Sequence, residues 1–387
     1  MSNFATKTPN SEYQPWHLEF RPQTLLEVSG HELLKRTLIN SIKLGRIANG
    51  YLFCGGKGTG KTSTARIFAK SLNCLAFPKP TVEPCGKCSN CKEIEAGINL
   101  DVIEIDAASN NGVEHIRSVI ETAQLTAVNS RYRIFVLDEC HMLTRAAANS
   151  LLKTLEEASF KRVVFILCTT EKDKVIDTIA SRCLNFDFIP IPQSEIIERL
   201  QFICNQENVE ASNSALKAIA KHSQGGMRDA IQNLEELALS ADKTPIESYM
   251  VLQKTGKMQN EDLMKIMDSV FSGDLRGINT LLLKSHQLIT QGKQPKEILE
   301  QMLEVYRDLA QLVILIDNGE KVDPESISLL SDLNLEYLTK TAASTSWRQL
   351  ELGFNAIERA FKEVSLSSNS RIWLDMLLLR LAKLGLF

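Results

Sequence analysis

A chain of 387 residues, 44% hydrophobic and 24% charged, has the length for two or three domains and a real core. Its net charge of −3 and pI near 6.2 exclude a nucleic-acid binder driven by bulk positive charge, so any DNA contact must be a local patch or belong to an assembled complex. No apolar run reaches membrane-spanning length, and "MSNFATKTPNSEYQPW" has no signal-peptide core, which reads as a cytoplasmic protein without membrane contact.

In chain order, "YLFC" (51–54), "LDVIEID" (100–106), "RIFVLDE" (133–139) and "VVFILCTT" (163–170) each read as a buried strand of a parallel sheet, with helical stretches between them. That alternation predicts an α/β sandwich up to about residue 188. "NFDFIPIP" (185–192) reads as a last strand running into a linker, where Pro190 and Pro192 stop a helix from forming. From "QSEIIERLQFICNQENV" onward apolar residues recur at three- and four-residue gaps. That predicts a short helical segment to about 250, containing "SQGGMRDAIQNLEEL", and a helical region from 251 to 387. The final "RIWLDMLLLRLAKLGLF" is too short and too charged to span a bilayer and reads as a packed helix.

"GGKGTGKT" follows the first strand and opens the helix "TSTARIFAKSLN", the context that G-x-x-x-x-G-K-[ST] requires. Gly55, Gly56, Lys57, Gly58, Thr59 and Gly60 turn backbone N–H groups toward phosphate oxygens. Lys61 reaches the β and γ phosphates, and the Thr62 hydroxyl holds Mg²⁺. Hydrolysis also needs acids at the end of a neighbouring strand, and "RIFVLDECH" supplies them. Asp138 holds Mg²⁺ directly or through water, and Glu139 orients the attacking water. For His141, packing or capping weighs at least as much as catalysis.

Of nine cysteines, Cys54, Cys140, Cys168, Cys183 and Cys204 are scattered, mostly in apolar runs, and read as small core hydrophobes. "CGKCSNC" (85–91) places Cys85, Cys88 and Cys91 at two-residue gaps, with Cys74 upstream. In a reducing compartment four clustered thiolates point to metal rather than disulfides. A closed tetrahedral Zn²⁺ site is structural and staples a short insertion with little core of its own. An iron–sulfur cluster is the alternative; no proline follows Cys91 and nothing else suggests electron transfer.

These stretches together resemble the gamma/tau subunits of bacterial DNA polymerase III, over nearly the whole length. The resemblance is carried by "EFRPQTLLEVSGHELL", "LGRIANGYLFCGGKGTGKTSTARIFAKSLNC", the four cysteines, "LDVIEIDAASNNGVEHIR", "LDECHMLTRAAANSLLKTLEE" and "SRC". It implies an AAA+ P-loop ATPase domain with a zinc insertion at 74–91 (1–188), a small helical lid (189–250) and an all-α oligomerisation collar (251–387). It implies an ATP-hydrolysing motor in a loader with delta and delta-prime subunits and other gamma/tau copies. That loader opens the ring-shaped beta clamp and places it on primer–template DNA. Carried over, Gly55 to Thr62 is the Walker A segment, Asp138 and Glu139 are Walker B, and Thr170 matches sensor 1. Arg182 matches the arginine finger that reaches ATP in the neighbouring subunit, Arg228 matches sensor 2, and Cys74, Cys85, Cys88 and Cys91 match the zinc ligands. "ASNNGVEHIR" puts a helix N-terminus after a strand, where a DNA phosphate with help from Arg117 can sit.

Where such proteins commonly continue with prolines after "LLKTLEE", this chain reads "ASFKR" (158–162). It stops at Phe387, without the long tau-type extension, which suggests a gamma-like form. A delta-prime-like stator is the first alternative, and Lys61, Thr62, Asp138 and Glu139 argue against it. Another AAA+ DNA-remodelling motor is the second, disfavoured by the zinc insertion. A zinc-dependent DNA-binding regulator is the third, disfavoured by the acidic balance. Such subunits are filed under DNA-directed DNA polymerase (a nucleotidyltransferase) because of the holoenzyme, and no polymerase active site is visible here.

Overall fold

The computed structural model describes residues 13–156, 162–242, 244–254, 258, 260–271, 277–290, 292–320, 331, 333–367 and 369–384. "ASFKR" falls, except for Arg162, outside them. The chain divides into two compact units, Met1–Ile246 and Glu247–Phe387.

The first unit opens with a strap whose one short helix is α1 (Trp16–Glu19), followed by α2 (Glu32–Leu44). Then come β1 (Gly50–Gly55), α3 (Lys61–Asn73), α4 (Ser89–Ala96), β2 (Val102–Asp106), α5 (Val113–Gln124) and β3 (Arg133–Asp138). They are followed by α6 (Arg145–Glu156), β4 (Val163–Thr169), α7 (Asp177–Ala180) and β5 (Leu184–Phe188). The five strands are parallel, in the order β2-β3-β4-β1-β5. β1, β3 and β4 lie inside the sheet and are buried almost throughout, which explains their continuous apolar runs. Successive side chains feed opposite layers. Tyr51 and Phe53 pack with α2 and α3, while Leu52 and Cys54 pack with α5, α6 and α7. Phe135 and Phe165 stack at 5.1 Å across β3 and β4 in that second layer.

Three helices complete the unit: α8 (Gln193–Glu207), α9 (Asn213–His222) and α10 (Met227–Ala241). An isolated parallel bridge, Ala211 to Ile246, is a strand-like pairing among the described residues that the helical periodicity does not foretell.

The second unit is helical in its described residues: α11 (Ser248–Lys254), α12 (Asn260–Phe271), α13 (Gly277–Thr290), α14 (Pro295–Asp317), α15 (Leu335–Ala343), α16 (Trp347–Leu366) and α17 (Ser370–Leu384). α14 and α16 both start with a capping box and run along a shared core that includes Met302, Leu309, Leu350 and Ile357. No described helix is long and apolar enough to cross a membrane.

Candidate active site

The glycine-rich loop leaves β1 at Gly55. A Cβ there would stand 2.2 Å from the Phe188 carbonyl oxygen on β5, so only glycine lets the two strand ends meet. Lys61 Nζ donates to the Gly55 and Gly56 carbonyls, both at 2.7 Å. Burial pulls the lysine below its ordinary pKa, against the opposing pull of Glu139 and Asp138. Thr59 Oγ1 closes the loop onto Gly56 O at 2.9 Å, and Lys57 is exposed.

Asp138 ends β3 beside this loop. Thr62 Oγ1 donates to its Oδ2 at 2.8 Å, and the Glu139 N–H donates to its Oδ1 at 3.0 Å. A hydroxyl and a carboxylate this close are hard oxygen ligands of the kind that Mg²⁺ takes, so the donor set fits that ion. Thr170 Oγ1 donates to Glu139 Oε2 at 3.0 Å. His141 lies in the same cluster. Its Nδ1 is 3.0 Å from Thr169 Oγ1 and 3.4 Å from Glu139 Oε2, and its Nε2 is 3.2 Å from Glu171 Oε1. The structure thus brings Lys61, Thr62, Asp138, Glu139 and Thr170 together.

Arg228 lines the same cleft, opposite Gly58 to Thr62. Its neighbour Met227, the first residue of α10, donates its N–H to Gly58 O at 3.0 Å. Arg182 is not brought to this cleft. Its Nε donates to Glu156 Oε1, and its Nη1 donates to Thr178 O at 2.7 Å. Arg117, at the start of α5, is exposed and 3.5 Å from Glu114.

The four cysteines of the insertion converge. Cys74 ends α3, Cys88 caps α4, Cys91 lies in α4, and Cys85 is on the loop between. Their Sγ atoms lie within 4.8 Å of one another. A zinc tetrahedron with arms of about 2.3 Å has edges of about 3.8 Å, so little contraction is needed. The Cys85 N–H donates to Cys74 Sγ at 3.3 Å, and the Lys87 and Cys88 N–H groups donate to Cys85 Sγ at 3.4 and 3.3 Å. Those donors bring the Cys85 thiol down to about 6, toward the thiolate that a metal needs. The chemistry of the donor set therefore fits zinc. Burial pushes the Cys91 thiol of the cluster upward, and it does the same to the scattered thiols: Cys183 to about 12, Cys204 to about 11, and Cys54, Cys140 and Cys168 upward as well.

Several contacts at the site escape sequence reasoning. His31 Nε2 lies 3.1 Å from Thr59 O and, facing a carbonyl, must be the donor, so it steadies the phosphate loop from α2's start. Arg131 donates to the Leu72, Phe77 and Cys74 carbonyls and so ties the cysteine insertion to the strand that carries Asp138. Asn73 and Tyr132 exchange a reciprocal pair of bonds beside it. Arg21, within "EFRPQTLLEVSGHELL", also lines the cleft, and the sequence carries no signal for it beyond its place in a family motif.

Three family models match in chain order. "DNA polymerase III, delta subunit" covers 30–192, "RCF1/5-like, AAA+ ATPase lid domain" covers 198–239, and "DNA polymerase III subunits gamma and tau domain III" covers 250–386. The gamma subunit of DNA polymerase III from Buchnera aphidicola (subsp. Baizongia pistaciae) is 34% identical over 95% of this chain and 96% of its own length. The tau subunit from Bacillus subtilis is 39% identical over 77% of this chain and 52% of its own length. The Escherichia coli tau subunit is 33% identical over 95% of this chain and 55% of its own. The chain thus spans about half the length of these tau relatives. Among solved structures, the Thermotoga maritima RuvB Holliday junction branch migration motor shares 20% identity over 68% of this chain and 84% of its own, at a TM-score of 0.47, too distant to bear on function.

Proposed function

The chain belongs to the DNA polymerase III gamma and tau subunit family, with an AAA+ ATPase fold, a lid and a C-terminal helical domain, and from that premise we propose that it is the ATP-hydrolysing motor of a sliding-clamp loader. The observation that carries this reading is the complete hydrolytic set in one cleft: Lys61 within its loop, Thr62 bonded to Asp138, and Glu139 held by Thr170. A stator has no use for all of these together. The functional domains proposed are 1–188 for ATP chemistry, 189–250 for the lid and 251–387 for assembly, in a cytoplasmic complex.

In this reading Lys61 exchanges the Gly55 and Gly56 carbonyls for phosphate oxygens, and the loop N–H groups hold the rest of the polyphosphate. Thr62 and Asp138 hold Mg²⁺, which neutralises charge on the β and γ phosphates when bound. Glu139 orients and polarises the attacking water, while Thr170 fixes its carboxylate from β4's end. Arg228 touches the γ phosphate from the lid, and the Met227 bond to Gly58 passes the loop's shape to α10. Arg182 serves a neighbouring copy's nucleotide, which requires it to leave Glu156. Hydrolysis then depends on assembly. Cys74, Cys85, Cys88 and Cys91 hold a structural zinc that staples the insertion to α3 and, through Arg131, to β3. The partners proposed are delta and delta-prime subunits, further gamma/tau copies, the beta clamp and primer–template DNA.

The test is ATP turnover by this chain with delta, delta-prime, clamp and primed DNA, against the chain alone. Turnover should rise only with the full set. Glu139→Gln should keep nucleotide binding and lower turnover by about 10²-fold or more, and Arg182→Ala should lower it by about 10³-fold only in the assembled complex. A formed complex without stimulation would demote the chain to a stator.

A further inference from the structure

The cleft has a third wall besides the phosphate loop and the lid. Residues 13–22 form a strap that the lid grips at both ends. Glu235, buried on α10, accepts the Tyr13 hydroxyl and, at 3.1 Å, the Trp16 N–H. Arg199 on α8 donates to Phe20 O at 2.6 Å. His17, between these anchors, and Arg21, just past the second, line the cleft together with Arg228 and Gly58 to Thr62.

Neither the Arg21 nor the Arg228 guanidinium has a hydrogen-bond or ion-pair partner among the described residues. Arg21 is half-buried and stands close enough to Arg66 and Arg228 to feel both. Arg228 is exposed, but Arg21 is partly drawn out of water, where an unpaired cation is costly, so Arg21 marks a place suited to an anion.

His17 sits among these charges. Its Nδ1 is buried and has no partner. Its Nε2 has none either, but is not shut away from solvent. Burial first, then Arg228 and Arg21, push its pKa below the ordinary histidine value against the pull of Glu235, so the ring is neutral at pH 7. A neutral imidazole carries one N–H. An orphaned buried N–H is rarer than an orphaned buried acceptor, which assigns the proton to Nε2. The strap therefore presents a single donor in the cleft that Arg21 and Arg228 also line.

We propose that His17 is a further nucleotide ligand, its Nε2–H donating to a polyphosphate oxygen held between Arg21 and Arg228. The proposal rests on the nucleotide reading of the cleft and adds the strap to it. Because Glu235 and Arg199 tie the strap to α10 and α8, the donor travels with the lid, and closing the lid delivers it.

The test uses the full chain and two hydrolysis-resistant probes, adenosine 5′-(β,γ-imido)triphosphate and its inosine counterpart, with Mg²⁺ and calorimetric affinities. His17→Phe should weaken both by about tenfold, the size of one hydrogen bond to a charged acceptor. His17→Gln, whose amide nitrogen reaches about as far as Nε2, should stay within about threefold of wild type, and the shorter His17→Asn should behave as Phe. Lys61→Ala should lose both probes. If wild type binds neither probe, the nucleotide reading falls. If Lys61→Ala loses binding but His17→Phe does not, only the His17 assignment falls. A His17→Phe loss confined to the adenosine probe would place the contact on the base, and a Gln variant as weak as Phe would reduce His17 to packing; either overturns the proposal.

Discussion

Glu139 takes a left-handed backbone, φ +48°, in a chain where glycine occupies most such turns. For a non-glycine residue that conformation costs about 1–2 kcal/mol, and it is kept where the surroundings enforce it. Here the Glu139 N–H donates to the Asp138 carboxylate, Thr170 donates to the Glu139 side chain and His141 lies 3.4 Å from it, so contacts on both backbone and side chain hold the left-handed turn. His31 is a second left-handed residue beside the same loop, φ +58°. Its Nε2–H is spent on Thr59 O and its Nδ1 is buried without a partner, so a second proton has nowhere to bond. Burial holds its pKa below the ordinary 6.5, aided by Lys35 and opposed by the Thr59 bond and Glu195. The unfolded chain therefore takes up a proton on acidification before the folded chain does. Stability is whole above about pH 6.5 and is lost as pH falls below it. His31→Asn tolerates the left-handed turn and removes the titration. Its melting temperature should fall less steeply from pH 7 to pH 5 than that of wild type; parallel curves would show that His31 takes its proton freely when folded.

The first turn of α10 meets the phosphate loop backbone to backbone, through the Met227 N–H and Gly58 O. The approach is close: a Cβ on Gly58 would lie 3.2 Å from Gly226 Cα, and one on Gly226 would lie 3.1 Å from Lys57 O. Met227 is the first residue of its helix, where proline is accepted because the N–H has no partner within the helix. Met227→Pro thus removes this one bond and leaves the helix. Against Met227→Ala, which removes only the side chain, it should lose a further ~1 kcal/mol of stability by denaturant titration with unchanged helical circular dichroism. Equal stability of the two variants would show that the loop and the lid are held by packing alone. None of this was legible in the sequence, since Gly58 and Met227 are far apart in the chain and the bond is between main-chain atoms. What was legible was local. Strands β1, β3 and β4 announced themselves because burial on both faces leaves them apolar throughout. Gly55 to Thr62 and the four cysteines announced themselves because spacing within one segment already fixes their chemistry. The short helix α4 inside the cysteine insertion was not read, because its apolar face is only Cys91 and Ile94 beside a buried Asn90. Thr170 and Arg228 were reached through the family resemblance, and the Arg182–Glu156 contact not at all, because a side-chain pairing leaves no periodic trace.

Each of the two units has its own core. That of Met1–Ile246 is split between the faces of the sheet, and that of Glu247–Phe387 is assembled from α12 to α17. The nucleotide cleft and the cysteine cluster both lie in the first unit. A ligand stabilises what it binds by RT ln(1 + [L]/Kd), about 2.7 kcal/mol at a hundredfold excess over Kd. A zinc ion held by the four cysteines would act in the same way, since a preformed set of four ligands does not persist in an unfolded chain. Chains of several units commonly melt in more than one step. In calorimetric scans of the full chain without its partners, saturating Mg²⁺ and the imido analogue of ATP should raise one transition and leave another in place. A zinc chelator should lower that same transition. Limited proteolysis during the scan should show residues of the first unit surviving longer with nucleotide and shorter with chelator, while fragments of 247–387 keep the same lifetime. A single transition that moves as a whole with either treatment would mean that the two units unfold as one cooperative body, against the separate responses expected here.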